Sequence, residues 1–323
     1  MSIDWLDAST PSAVLPHDPA VSCNGMLIIV VGPAGAGKNS LMKHVIDNGA
    51  ARQLPTATTR SMRPGEEHGR EHLFVTKDEF QRMIVQDELV EYQQVHDNLY
   101  GMHRPTLEAA LERGETIIAD IDIRGADSAR QIFSDNVVIV FVQPPSIGDL
   151  IDRMRVRGET VASIGLRLLR IGIEFDYAQR SDYVITNDDV GRASDKMLAI
   201  VGTVARGHRD AVTSDAPIPY HYTLHAQTLP IAGHEILVRK RAPEYPITAC
   251  QPGEQPAAAA RRALCETLKI QNPAPTDDSE YRAPAVIDYR CADGVEIVTY
   301  SYLTFLDEKI AAPEGWHWSE IGS

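Results

Sequence analysis

The chain has 323 residues, with 31 Lys and Arg against 45 Asp and Glu and a formal net charge of −14, so two domains are the default expectation. That excess of negative charge argues against non-specific binding to nucleic acid or an anionic membrane, although arginines can still gather at a phosphate site. No apolar run approaches the roughly 20 residues of a membrane span, and the start of the sequence carries aspartates where a signal peptide has a basic region, so the expected compartment is the cytoplasm.

Residues 1–25 are rich in Pro, Ser, Ala and Asp without periodicity and read as a flexible leader. "MLIIVV", Met26 to Val31, is a short apolar run suited to a buried parallel strand, and "NSLMKHVIDNG" has helical spacing and a glycine stop. Between them lies "GPAGAGKNS", residues 32–40. Strand, loop and helix are the order that the motif G-x-x-x-x-G-K-[ST] requires: backbone N–H groups close around phosphate oxygens, the lysine reaches the β- and γ-phosphates of ATP, and the last hydroxyl ligates Mg²⁺. Gly32, Gly37 and Lys38 fill the spaced positions and Gly35 lies within the loop, but Asn39 stands where the motif asks for a hydroxyl. Asn39 offers an amide oxygen to Mg²⁺, directly or through water, and Ser40 supplies a hydroxyl one residue later. Metal binding is expected to be altered, not abolished.

Onward to about residue 207 the chain alternates. "TIIAD", "VVIVFV" and "YVITN" read as strands, and segments near 105–113, 146–156, 160–178 and 190–206 have helical spacing. This predicts an α/β domain over 26–207 with a mostly parallel sheet covered on both faces. Near "TSDAPIPYHY" the composition changes, and residues 208–218 read as a linker. Over 219–323, "EILVRKR", "AVIDYR" and "VEIVTYSYLTF" read as strands around the helix-like "QPAAAARRALCETLKI", an α+β pattern. Cys23, Cys250, Cys265 and Cys291 are scattered with no C-x-x-C pair, which favours reduced or buried thiols.

Three further stretches carry chemistry. "TATTRSMRPGEEHGREHLFV" sets Arg60 and Arg63 three apart on a Pro/Gly/Glu-rich turn, a suitable clamp for a phosphate or carboxylate. Asp120 and Asp122 end the apolar strand "ETIIADID", at the carboxyl edge where open α/β sheets bind ligands. "DRMRVRGE" puts Arg153 and Arg157 four apart on a helix, with Arg167 following, and mobile arginines supply the charge stabilisation that phosphoryl transfer needs.

The order of the phosphate loop, the arginine turn, "ELVEYQQVHDNLYG", "IIADIDIRG", "RMRVRGE" and "ITNDD" resembles the guanylate kinases over roughly 26–207. The resemblance implies a P-loop fold with an acceptor-binding insertion and a lid, and ATP-dependent, Mg²⁺-assisted phosphorylation of GMP or dGMP. It implies that Arg60, Arg63 and Tyr100 hold the acceptor phosphate, that Glu91 and Thr56 meet the base, and that Arg153, Arg157 and Arg167 form the lid with Asn187 near the donor base. A carboxylate accepts from both guanine N1–H and the exocyclic amine, whereas adenine presents no matching pair of donors. Of Asp120 and Asp122, one would order metal-bound water and the other orient a ribose or an arginine. Departures fall on the acceptor side: His72 stands where the family has a tyrosine, and Met102 where a serine follows the Tyr-Gly pair. The ribosyl bisphosphate phosphokinases also replace the loop hydroxyl, with an acidic-type residue followed by serine, making ribose 1,5-bisphosphate the alternative acceptor. Guanylate-kinase-like domains that serve as binding modules commonly lose the phosphate loop; this chain retains Lys38 and Gly37.

"PGEQPAAAARRALCETLKI", Pro252 to Ile270, resembles the box of the Nudix hydrolases. With Arg262 on the motif arginine, Glu254 takes the first glutamate, Leu264 and Ile270 the aliphatic positions, and Glu266 one helix carboxylate. Thr248, Ala263, Thr267 and Lys269 occupy positions that the motif gives to Gly, Glu, Glu and Gly. Grouped carboxylates hold Mg²⁺ against a diphosphate, so this degenerate pattern implies a Nudix-like fold suited to binding, with Glu254 and Glu266 as a residual site should it hydrolyse.

Overall fold

The computed structural model describes residues 25–70, 72–95, 98–209, 211–232, 235–239, 245–252, 254–269, 284–292, 294–305, 311–314 and 316–320. The leader, with Cys23, and Ile270 of the Nudix-like box lie outside the described residues.

The strands and helices read from apolar periodicity are present. β1 (Met26–Val31) leads through the glycine loop into α1 (Lys38–Asp47), followed by β2 (Arg52–Gln53), β3 (Thr56–Thr58), β4 (His72–Phe74), α2 (Lys77–Val85), β5 (Leu89–Val95), β6 (Asn98–His103) and α3 (Arg104–Glu112). Next come β7 (Thr116–Asp120), α4 (Ile123–Phe133), β8 (Val137–Gln143), α5 (Ile147–Val156), α6 (Val161–Leu168), α7 (Ile171–Asp176), β9 (Tyr183–Thr186) and α8 (Val190–Val204). The remainder is β10 (Tyr222–Ala232), β11 (Glu235–Arg239), β12 (Ile247–Ala249), α9 (Pro256–Leu268), β13 (Val286–Ala292), β14 (Val295–Phe305) and β15 (Trp316–Glu320). Of these, β2–β6, α2, α4, β10, β12 and β15 are added to the elements read from the sequence.

A five-stranded sheet has the order β2-β7-β1-β8-β9, with parallel pairs β2/β7 and β8/β9 at its two ends. Every residue of β8 is buried, the polar Gln143 included, and its apolar run Val137–Val142 suits a strand in the interior of a parallel sheet. The described chain divides into two compact units: one holds the residues up to Ile29, Ile46–Val138 and Val201–His208; the other holds Val30–Val45, Ile139–Ile200 and everything from Arg209.

In the first unit a four-stranded sheet, β4-β3-β6-β5, carries the arginine turn. Its apolar face buries Ala57, Phe80 and Leu89 with Leu73, Val75, Met83, Ile84 and Leu99 against it. α2 starts on a full capping box, in which Thr76 and Glu79 satisfy each other's backbone N–H groups.

In the second unit, β10 runs parallel to β14 and antiparallel to β11 and β12, and β13 and β15 complete the C-terminal sheet. Leu264 and Leu268 of α9 bury against Leu237, flanked by Trp316 and Trp318. Two features depart from the sequence reading. The helical spacing over 160–178 is two short helices, α6 and α7, separated by Leu169 and Arg170 and followed by a 3₁₀ turn at Tyr177–Arg180. The segment read as a linker is docked along β9 in its second half: Asp215 N–H donates to Val184 O, its carboxylate accepts from Thr186 N–H and Lys196, and Gln143 bonds both Ala216 O and Ile218 N–H. The stretch forms no strand of its own, and one backbone bond together with the Asp215 and Gln143 side chains holds it instead.

Candidate active site

The loop after β1 bends only because glycines occupy it. Gly32, Gly35 and Gly37 have φ of 132°, 92° and 99°, values that L side chains rarely adopt. Crowding adds to the requirement. A Cβ on Gly32 would lie 2.2 Å from Val142 O, and one on Gly37 2.1 Å from Asn187 Nδ2. Lys38 opens α1 and folds back over the loop, donating to Gly32 O at 2.7 Å and Pro33 O at 3.4 Å, so its ammonium is held at the loop. Asn39 and Ser40 follow on the first helical turn, both exposed. Their amide and hydroxyl oxygens are the neutral hard donors that suit Mg²⁺ beside phosphate oxygens.

Asn187 is 4% exposed, and its side chain donates to Ala36 O at 2.7 Å. It therefore braces the loop, a role that the sequence reading, which set it near the donor base, did not foresee. Arg153 on α5 completes the brace, donating to Asn187 O at 2.8 Å and to Ala36 O at 3.4 Å. Arg157 and Arg167 are elsewhere: both reach the Glu159 carboxylate, at 2.9 and 2.8 Å, with about half of each side chain exposed. Of the three expected lid arginines, the structure thus brings Arg153 to the loop and holds the other two on one carboxylate.

The residues expected on the acceptor side gather, within the first unit, on the four-stranded sheet and its neighbouring helix. Arg60 is gripped by Glu66 through two bonds, 2.8 and 3.0 Å, and Glu66 also accepts the Arg63 N–H at 2.7 Å. The paired arginine holds the Glu66 carboxyl at about 2, well below the usual carboxylate range. Arg63 itself is exposed. His72 Nδ1 and Thr56 Oγ1 share a hydrogen bond of 2.9 Å, and the His72 ring meets Tyr100 edge-on at 6.1 Å. Met102 is fully buried, so its apolar side chain belongs to the core.

Glu91 on β5 faces α4, where a Cβ on Gly125 would come within 2.8 Å of its Cγ. Burial, reinforced by the Asp122 charge, pushes the Glu91 carboxyl up to about 8. Asp122 caps α4 by accepting the Gly125 N–H at 2.8 Å, and Asp120 is exposed at the end of β7. In the C-terminal domain, Glu254 is taken up by Arg262 at 2.8 and 3.1 Å, while Glu266 lies 3.6 Å from the same guanidinium and 62% exposed. Among the described residues no cluster of three His, Cys, Asp or Glu side chains could hold a metal ion. Cys250, Cys265 and Cys291 are free thiols, and burial pushes Cys250 up to about 11.

Sequence reasoning missed Glu66 and Glu159, the carboxylates that hold the named arginines. Each follows an arginine and a glycine in the same short turn, "RPGE" and "RGE", and that acid was the available signal.

A glycine loop between a buried strand and a helix, closed by a lysine and braced by an arginine, defines a P-loop nucleotide-binding protein. Residues 24–203 match the family model for guanylate kinase. The guanylate kinase of Rhodopseudomonas palustris is 36% identical over 183 residues, 56% of this chain and 84% of that one. The guanylate kinase of Desulfitobacterium hafniense is 39% identical over 185 residues, 55% of this chain and 90% of that one. A solved guanylate kinase from Anaplasma phagocytophilum is 26% identical, covers 58% of this chain and 88% of its own, and superposes with a TM-score of 0.44. The chain belongs to the guanylate kinase family. It is a nucleoside monophosphate kinase that phosphorylates GMP with ATP as donor and Mg²⁺ as the metal. No helix among the described residues is long and apolar enough to cross a membrane.

Proposed function

We propose that the reaction runs on the following assignment of residues. The loop N–H groups and Lys38 bind the β- and γ-phosphates of ATP, Asn39 and Ser40 hold Mg²⁺ directly or through water with Asp120 as a further water-ordering carboxylate, and Arg153 meets the transferring group. Bound there, Mg²⁺ would neutralise charge developing on the bridging phosphate oxygens. Arg157 and Arg167 exchange Glu159 for phosphate as the nucleotide fills, since the multiply charged phosphate chain outcompetes a single carboxylate for two guanidinium groups. Arg60, Arg63 and Tyr100 take the GMP phosphate, with Arg60 leaving Glu66 by the same exchange, and His72 stands in for the tyrosine hydroxyl. Glu91, as carboxylate, accepts from guanine N1–H and the exocyclic amine while Thr56 contacts the base, an arrangement that serves GMP and dGMP alike. An oxygen of the GMP phosphate attacks the γ-phosphorus in line; the bond from that phosphorus to the bridging oxygen breaks, and ADP leaves with the electron pair.

The observation that carries this reading is Lys38 held over a loop of three positive-φ glycines and braced by Asn187 and Arg153. Lys38→Ala is expected to lower GMP-dependent ADP formation by about 10²–10³-fold or more, with the melting midpoint preserved. ADP production should be measured with GMP, dGMP, AMP, UMP and ribose 1,5-bisphosphate in turn; turnover with ribose 1,5-bisphosphate and not with GMP would reassign the acceptor site.

The C-terminal sheet and α9 fit a degenerate Nudix-like domain, supported by the Arg262–Glu254 pair at the motif spacing. With Glu254 so engaged and Glu266 alone on its helix face, binding is favoured over hydrolysis.

A further inference from the structure

The C-terminal sheet is seated on the helices that carry the lid arginines. Each of α5, α6 and α7 offers a glycine to it. A Cβ on Gly148 would lie 2.5 Å from the Tyr289 ring; one on Gly165 would meet Ile287, Pro284 and Tyr300 at 3.2–3.3 Å; one on Gly172 would lie 2.5 Å from the Tyr222 hydroxyl. Polar bonds fix the same contacts. Tyr300 Oη donates to Gly165 O at 3.1 Å in a buried setting, Tyr220 donates to Pro144 O, and the Tyr220 ring stacks on Phe175 at 3.8 Å.

α5 is pinned at both ends. At its start, the Glu296 carboxylate accepts the Ile147 N–H at 2.9 Å and the Tyr289 hydroxyl at 2.8 Å, adding a negative charge where the unpaired N–H groups and the helix dipole favour one. Near its end, Arg155 donates to Ile287 O of β13 at 2.6 Å. Between the pins, Arg153 reaches Ala36 O and Asn187 O. A guanidinium on a helix fixed at two points is oriented before nucleotide arrives, so less ordering remains for the transition state.

We propose that the C-terminal sheet is a standing clamp on the lid helices and that Glu296 is a positioning residue for phosphoryl transfer, acting through α5 on Arg153. The proposal rests on the reading of Arg153 as a group that meets the transferring phosphates. It gives the C-terminal domain a task within the kinase reaction that needs no chemistry of its own.

The test is steady-state kinetics of the full-length chain with saturating Mg·ATP and varied GMP. Glu296→Ala should lower kcat about tenfold and leave KM for GMP within twofold, whereas Glu296→Gln, whose amide oxygen still accepts the Ile147 N–H, should keep at least half of kcat. Gly148→Ala is the second variant. It improves intrinsic helix propensity in α5 while displacing Tyr289, so a fall in kcat without a fall in melting midpoint separates positioning from folding. In an Arg153→Ala background, Glu296→Ala should add nothing further, because the two residues act in series. Wild-type kcat in Glu296→Ala and Gly148→Ala, or effects that multiply independently with Arg153→Ala, would overturn the clamp. Wild-type kcat in Arg153→Ala alone would instead overturn the reading of Arg153, and the two failures are thereby told apart.

Discussion

Glu91 combines two demands that conflict in the ligand-free protein. The guanine contact proposed for Glu91 wants a carboxylate, yet burial and the Asp122 charge raise the carboxyl to about 8 and favour its neutral form near pH 7. The folded chain therefore holds a proton that the unfolded chain releases above about pH 4.5. Stability from this group is fully present below that value and is lost as pH rises through about 8. Glu91→Gln, neutral at every pH, should flatten this part of the profile: thermal melts from pH 4 to 9 should show wild type losing on the order of a few kcal/mol relative to the variant across that window. GMP affinity should move the opposite way, strengthening up to about tenfold per pH unit below about 8 as the carboxylate forms. Melts that keep a constant separation, together with a flat KM for GMP, would remove Glu91 from base recognition. Glu66 behaves differently, because its carboxyl is held at about 2 by Arg60 and Arg63 N–H and stays charged throughout this range.

The first turn of α1 carries one of the departures from the family pattern, Asn39. An amide at position 39 and a hydroxyl at position 40 both present oxygen, but the amide reaches further and carries a bulkier planar group, so under the proposed assignment Mg²⁺ would sit less close to the loop than a hydroxyl at 39 would hold it. Asn39→Thr should lower the Mg²⁺ concentration at half-maximal rate several-fold and leave KM for GMP unchanged, read by titrating Mg²⁺ at fixed ATP and GMP. An unchanged Mg²⁺ dependence would mean that Asn39 contributes no ligand and that Ser40 or water carries the coordination. At this scale the sequence was legible in part: β1 is an unbroken apolar run, β7 and β8 are built on the apolar runs Ile117–Ala119 and Val137–Val142, and the loop is spelled in its glycines and lysine. What could not be read there is the pairing of side chains brought together by the fold. Glu296 meets Ile147 across 149 positions, and Asn187 meets Ala36 across 151, and neither local propensity nor periodicity carries such information. The division of 160–178 into α6 and α7 was likewise invisible to periodicity, which persists across a break of two residues.

Within the whole molecule, the phosphate loop, the lid helices and the C-terminal sheet lie in the same compact unit. If the contacts through Gly148, Gly165 and Gly172 couple them, nucleotide bound at the loop must stabilise the sheet, because a ligand that binds only the folded unit raises the free energy of every opening that dissolves its site. Two of the three tryptophans report on that sheet: Trp316 and Trp318 flank the cluster of Leu237, Leu264 and Leu268. With Trp5→Phe as the background, tryptophan emission comes from β15 alone. Mg·ATP at one hundred times its dissociation constant, without GMP, should stabilise the loop by about 2.7 kcal/mol and raise the melting midpoint seen by Trp316 and Trp318 by roughly 5 °C. Tyr300→Ala, which removes the buried bond to Gly165 O and a large part of the seat on α6, should shrink that rise by separating the two transitions. A tryptophan midpoint that ignores Mg·ATP in the wild-type fold would show the sheet melting on its own, and a sheet that melts independently of the loop is too weakly coupled to hold Arg153 in place.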